Sequence, residues 1–89
     1  MNRVEYLYWD LGSCAGGTSF EVELDGSAAN VFLVDRGNFS AYQRGRAYQY
    51  YGGFFDYTPL TIEVPYKARW YLVVDGYDDD ITVTFEELD

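Results

Sequence analysis

Apolar and polar residues alternate over several short stretches of this chain. In residues 18–24 the apolar side chains at positions 20, 22 and 24 alternate with serine or glutamate. The same period of two recurs in residues 60–64 and 81–86. This period is typical of a β-strand with one face buried and the other in water. The pattern therefore predicts half-buried strands in these three stretches.

Other stretches are apolar without clean alternation. Residues 28–35 are apolar on both faces, which predicts a strand in the middle of a sheet. Residues 4–9 and 70–74 are rich in β-formers, and residues 47–51 form a tyrosine-rich strand candidate that Gly52-Gly53 closes. Residues 54–57 add one more extended piece. Turn signals separate these runs: residues 12–17, Asp25-Gly26, Pro65 and the acidic residues 75–80.

One segment breaks the strand pattern. Asn38 is placed to cap a short helical turn that Gly45 ends. About seven short strands with turn signals every 8–12 residues predict an all-β fold, an antiparallel β-sandwich or a partly closed barrel. The chain shows no repeat or linker, so we expect one domain over residues 1–89.

Composition narrows the class of protein. Aromatic residues make up 20% of the 89 residues, enough to build a core in a short chain. Cys14 is the only cysteine, so an internal disulfide is excluded. The N-terminus lacks the pattern of a signal peptide, and no stretch approaches the roughly 20 apolar residues of a membrane span. We expect a soluble, cytoplasmic protein.

The net charge limits the classes of partner that the protein is expected to bind. The chain has 15 acidic and 6 basic residues, a net charge of -9. Such a charge opposes direct binding of nucleic acid or an anionic membrane and favours a basic protein surface. The acidic residues are equally compatible with a role in solubility alone.

Catalysis is not expected. Histidine is absent, which removes the usual proton shuttle and the Ser-His and Cys-His nucleophile pairs. Four carboxylates near the C-terminus could in principle bind calcium: Asp75, Asp78, Asp79 and Asp80. The ligand order of an EF-hand loop is missing, however. We therefore predict no enzyme activity, no metal site and no cofactor.

An ordered series of motifs carries a family resemblance: Ala29 to Asp35 (ANVFLVD), Asn38 to Tyr42 (NFSAY), Arg44-Gly45-Arg46, Tyr50 to Gly53 (YYGG), Pro59 to Pro65 (PLTIEVP) and Trp70 to Asp75 (WYLVVD). With these motifs the chain resembles bacterial domain-of-unknown-function family 1883 over about residues 4–85. The resemblance implies a sandwich-like all-β fold and an association with TIR domains of bacterial proteins that look defence-related. It implies no catalytic residue. Members typically have Gly-His where this chain has Ala68-Arg69, and they are less acidic near Gly76-Tyr77.

Three functions follow as hypotheses. The first is a non-catalytic acidic protein that docks on a basic protein surface, for instance a phage-encoded anti-defence inhibitor of a nucleic-acid-binding complex. Surface tyrosines at positions 6, 8, 57, 66 and 77 would share that surface with the acids. Its predicted contact residues are Glu21, Glu23, Tyr77, Asp78, Asp79, Asp80, Glu86 and Glu87.

Two alternatives stay open. One is a sensing module in which a nucleotide-like or sugar ligand is held by Arg44, Arg46, Tyr48, Tyr50 and Tyr51, because arginines bind phosphate and aromatic rings stack on bases. In the competing interpretation of the same residues, the arginines pair with nearby carboxylates and cover aromatic rings. The other alternative function is a self-associating structural domain.

Overall fold

A computed structural model describes residues 5–78 and 80–88 of the chain. These residues form seven strands and one helix: β1 (Tyr6–Cys14), β2 (Ser19–Asp25), β3 (Ala29–Asp35), α1 (Arg36–Gln43), β4 (Tyr51–Phe55), β5 (Leu60–Glu63), β6 (Ala68–Asp75) and β7 (Thr82–Leu88). The all-β prediction is confirmed. The arrangement is a sandwich of two separate sheets.

The strands pair antiparallel throughout. One sheet has the order β1-β6-β3-β4 and the other the order β5-β2-β7. Between them lies the main core, with Trp70, Leu33, Leu72 and Val22 fully buried. The period-two residues of β2 and β5 point into this core, as their alternation predicts.

β3 has two buried faces, as predicted. Val31 and Leu33 enter the core between the sheets, whereas Phe32 and Val34 lie on the outer face of the four-stranded sheet. Helix α1 covers that outer face with the buried ring of Phe39. The helix thus gives the four-stranded sheet a second, smaller apolar cluster.

The N-cap of α1 differs from the prediction. Asp35, not Asn38, caps the helix: its Oδ1 accepts the Asn38 backbone N–H at 2.9 Å. The side chain of Asn38 instead accepts the backbone N–H of Gln49 at 2.9 Å. Asn38 therefore ties the segment after the helix back to the first helical turn.

β1 runs further than predicted. We expected a turn from residue 12, but pairing with β6 continues to Cys14 after a bulge between Asp10 and Gly12. Gly12 has φ of +74°, and its N–H donates to Oδ1 of Asp10 at 2.9 Å. A glycine is also common in turns, which is why a turn was expected here. In the structure its positive φ is used by the bulge, and the strand continues. The predicted start of this strand, Val4, lies outside the described residues.

The prediction for residues 47–53 was wrong. Residues 46–50 are irregular, and the strand is β4, which contains the Gly52-Gly53 pair that was expected to end it. A Cβ atom added to Gly52 would lie 2.2 Å from the carbonyl oxygen of Val31. The glycine therefore allows β4 to approach β3 closely.

Among the described residues, no helix has both the length and the apolar character needed to cross a membrane.

Candidate binding surface

The outer face of the three-stranded sheet is acidic. Because Phe20, Val22 and Leu24 turn inward from β2, the residues between them turn outward. Cross-strand register places residues of β5 and β7 on the same side. We call this surface the acidic sheet face, and its carboxylates are Glu21, Glu23, Asp25, Glu63 and Glu86.

Like charges are neighbours on the acidic sheet face. Glu21 of β2 is directly opposite Glu86 of β7. Glu23 is diagonal to Glu86, and Glu63 of β5 is diagonal to Glu21. None of the three strands contains a lysine or arginine. Directly opposed like charges destabilise a sheet, so this face carries a repulsion that its own strands do not neutralise.

The centre of the acidic sheet face is slightly concave. Glu21, Glu23 and Glu86 line an open depression of about 330 Å³ together with Thr84 and Phe85. Carboxylates at positions i and i+2 of a strand are about 7 Å apart. The face therefore presents a short, regular array of negative charge at the rim of a shallow hollow.

A second acidic group lies in the loop between β6 and β7. Tyr77, Asp78 and Asp80 line an open concavity of about 430 Å³, to which Glu5 and the side chains of Leu7 and Ile81 also contribute. Burial raises the pKa of the Tyr77 phenol, and the nearby Glu5 raises it further. The predicted contact residue Asp79 lies outside the described residues.

The two acidic groups adjoin. Gly26, in the turn after β2, has φ of +111°, and a Cβ added to it would lie 2.5 Å from the carbonyl oxygen of Asp80. The turn that follows Asp25 is therefore packed on the loop that carries Asp78 and Asp80. Negative charge runs from the acidic sheet face onto this end of the sandwich.

Glu87 is separated from the other predicted contact residues. In β7 it pairs with Phe20, whose side chain faces the core, so Glu87 points away from the acidic sheet face. Burial raises the pKa of the Cys14 thiol, and the negative charge of Glu87 adds to the effect. Glu87 is exposed and lies toward the Cys14 edge of the sandwich.

The five residues predicted to hold a nucleotide-like or sugar ligand do not lie together in the structure. The rings of Tyr48 and Tyr50 pack on Phe32, with centroids 6.1 and 5.4 Å away. Tyr51 points to the opposite side of β4 and packs on Trp70 in the main core. Arg44 and Arg46 are exposed just after α1. A single pocket of all five residues is therefore not formed.

Most tyrosines are remote from the acidic sheet face. Tyr6 and Tyr8 lie on β1 of the other sheet, against α1 residues Tyr42 and Phe39. Tyr57 and Tyr66 are exposed in loops, and Tyr77 alone borders predicted acidic contact residues in the loop concavity. The combined acidic and tyrosine-bearing surface expected from the sequence is thus separated onto two faces.

The basic residues of the described chain all lie outside the three strands of the acidic sheet face. They belong to α1, the segment after it, the β5–β6 loop and β6: Arg36, Arg44, Arg46, Lys67 and Arg69. Between described residues the structure forms one ion pair, from Arg69 to Asp10 across β6 and β1. This pair and the Gly12 N–H lower the pKa of the Asp10 carboxyl. Among the described residues, Arg44 and Arg46 form no ion pair with a carboxylate, so the competing interpretation of these arginines gains no support.

Sequence reasoning missed two acidic residues of the sheet face and placed a third, Asp75, wrongly. Asp25 and Glu63 belong to the acidic sheet face. Each lies two residues after an outward-facing residue of its own strand, Glu23 in β2 and Thr61 in β5, and this spacing in the sequence could have identified them. Asp75 was assigned to the acidic turn but is buried at the end of β6. Its Oδ2 accepts the Tyr42 hydroxyl at 2.6 Å and its Oδ1 accepts the Asn30 amide at 2.9 Å.

Within residues 5–78 and 80–88, no three histidine, cysteine, aspartate or glutamate side chains converge as a metal site.

The family described as Domain of unknown function (DUF1883) matches residues 4–84. The chain belongs to the DUF1883 family. No curated protein and no solved structure matches it.

Within this DUF1883 domain, the Ala68-Arg69 pair lies at the start of β6. Arg69 faces outward and binds Asp10, whereas Ala68 packs against the main core. The Arg69 side chain thus links β6 to β1 through its ion pair with Asp10.

Proposed function

We propose that this DUF1883 protein is a non-catalytic binding protein that acts in the cytoplasm by docking its acidic sheet face on a basic protein surface. The observation that carries the proposal is the pairing of Glu21 with Glu86 on strands without any lysine or arginine. A cationic partner would relieve that repulsion, so the charge arrangement favours association.

The partner class is a nucleic-acid-binding protein. Carboxylates at every second residue of β2 are about 7 Å apart, roughly twice the 3.4 Å rise of one DNA strand. A groove whose lysines and arginines are spaced for phosphates can accept such an array. The protein would then act as an inhibitor that occupies the groove, for instance as a phage-encoded anti-defence protein.

Neutralisation of the acidic sheet face tests the proposal. The variant E21Q/E86Q removes the opposed pair, and D56N/E87Q removes two exposed carboxylates that lie off this face. Both variants change the net charge by the same amount. A fluorescent nona-arginine peptide serves as the basic probe, with Kd measured by anisotropy at several salt concentrations.

The expected result is a Kd at least several-fold weaker for E21Q/E86Q than for D56N/E87Q, with a shallower salt dependence. Equal weakening by both variants would mean that net charge alone attracts the peptide. That outcome, or binding insensitive to salt, contradicts the proposal.

A further inference from the structure

The sandwich has four edge strands, and three carry features that discourage pairing with another strand. β1 has the bulge after Asp10, and β7 carries Glu86 and Glu87. β5 is four residues long, contains Glu63 and is flanked by prolines. Bulges, charges, prolines and short length are the usual means by which proteins protect a sheet edge.

β4 lacks such protection. It contains no charged residue, no proline and no bulge in its pairing with β3. Side chains at its outer side are exposed: Phe54 is 62% and the preceding Tyr50 is 52% accessible. Among the described residues, the backbone of β4 forms no hydrogen bond outside its sheet. An edge of this kind is a template for another strand.

We propose that the β4 edge binds β4 of a second copy of this chain, antiparallel and centred on Gly53. In that register Phe54 of each copy lies opposite Gly52 of the other. An aromatic ring facing a glycine covers exposed backbone, a pairing used to stabilise sheets. Tyr51 and Phe55 lie opposite each other in the same way. The sequence Tyr51–Phe55 is therefore complementary to itself about a two-fold axis.

Charge favours the antiparallel direction. Arg44 and Arg46 precede β4, and Asp56 follows it. Antiparallel pairing brings the basic end of one copy beside the acidic end of the other, whereas parallel pairing brings like charges together. Each copy has a net charge of -9, so added salt should strengthen this dimer by screening repulsion. Docking on a basic partner has the opposite salt dependence.

A cysteine at the two-fold axis gives a direct test. Gly53 has no positive φ, and a Cβ added there meets no atom within 4 Å, so Gly53→Cys fits the fold. Directly opposed residues of antiparallel strands have Cβ atoms about 4.5–5.5 Å apart, close to disulfide reach. With a mild oxidant, we expect Gly53→Cys to form disulfide-linked dimers. The wild type, whose Cys14 is buried, and Thr82→Cys on β7 should not.

Sedimentation equilibrium of the uncrosslinked protein provides the second measurement. Phe54→Lys places a charge on the edge and should weaken the dimer at least tenfold. Leu88→Lys makes the same charge change on the exposed edge of β7 and should leave the dimer intact. Both variants reduce the net negative charge by the same amount. A weaker dimer in Phe54→Lys alone therefore cannot result from a change in the repulsion between the two copies.

The proposal fails if the wild type sediments as a monomer of 10.3 kDa at every concentration and salt tested. It also fails if Gly53→Cys crosslinks no faster than Thr82→Cys, or if Leu88→Lys disrupts the dimer and Phe54→Lys does not. Circular dichroism and thermal unfolding of each variant verify that the fold is retained.

Discussion

At the scale of single residues, Asp75 shows how the sandwich accommodates a carboxylate in its interior. The residue is 9% exposed and receives hydrogen bonds from two neutral donors, Asn30 and Tyr42. Gly76 has φ of +71°, and a Cβ added to it would lie 2.6 Å from the Asn30 amide nitrogen. Tyr42 belongs to α1, so its hydroxyl also attaches the helix to the sheet.

The substitution Tyr42→Phe tests this attachment. It removes the hydroxyl that donates to Asp75 while keeping the ring contacts with Phe32 and Tyr6. We expect unfolding free energy to fall by about 1–3 kcal/mol, the usual effect of removing a hydrogen bond from a buried charged group. Urea unfolding followed by circular dichroism measures it. The exposed Tyr8→Phe should cost less than about 0.5 kcal/mol, and an equal loss in both variants would contradict the role of the hydroxyl.

A second residue-scale prediction concerns alkaline pH. The hydrogen bond from the Tyr66 hydroxyl to Oδ2 of Asp35, 2.5 Å long, raises the pKa of Tyr66 to about 12. Burial acts to raise the pKa of Asp35, but hydrogen bonds from Tyr66, Asn38 and Gly37 outweigh it and the pKa is lowered. A tyrosine whose pKa is raised on folding stabilises the protein below its unfolded pKa of about 10.

The comparison is between the wild type and Tyr66→Phe. We expect the wild type to be more stable at neutral pH and this advantage to decline as pH rises from about 10 to 12, where the phenol ionises in the folded state. Urea unfolding at each pH gives the difference. An advantage that stays constant through this range would show that the hydrogen bond to Asp35 does not stabilise the fold.

At the scale of elements, the backbone of β4 explains why the strand predicted over residues 47–51 was wrong. The glycine pair resembles a turn, and only the position of β3 shows that Gly52 must lack a side chain there. Strands β2, β3, β5 and β7 were predictable because each has its own apolar pattern. Close backbone approach leaves no such local pattern.

Gly52→Ala and Gly53→Ala form a matched pair on this strand. The first adds a Cβ 2.2 Å from the Val31 carbonyl oxygen at φ of +148°, and we expect a loss of about 3 kcal/mol or more. The second enters open space, so it should be neutral or should stabilise by about 0.4–1 kcal/mol. Thermal unfolding compares them. Equal tolerance of both alanines would contradict the close approach of β4 and β3.

At the scale of the whole molecule, charge is distributed unevenly between the two sheets. The three-stranded sheet carries carboxylates and no base, whereas α1 and its neighbours carry most of the described arginines. The sequence predicted Glu21, Glu23 and Glu86 as a group because their strands were recognisable. It did not predict that Tyr6 and Tyr8 lie on the opposite face, since the order of strands in two sheets is not encoded in local alternation.

The uneven charge should affect stability. Glu86→Gln removes the charge opposite Glu21, and we expect unfolding free energy to rise by about 0.2–1 kcal/mol at low salt. The gain should diminish at high salt because screening already weakens the repulsion. Asp56→Asn, which lies off this face, serves as the control in urea unfolding at both salt concentrations. A loss of stability in Glu86→Gln would contradict the assumed repulsion.

The most direct test of the acidic sheet face is to map where a basic ligand binds. Nona-arginine is titrated into the isotopically labelled protein, and amide chemical-shift changes are followed by NMR. We predict that the changes concentrate on β2, β5, β7 and the adjoining loop after Gly76, and that salt suppresses them. Changes centred on α1 and β4, or spread evenly over both sheets, would contradict the account.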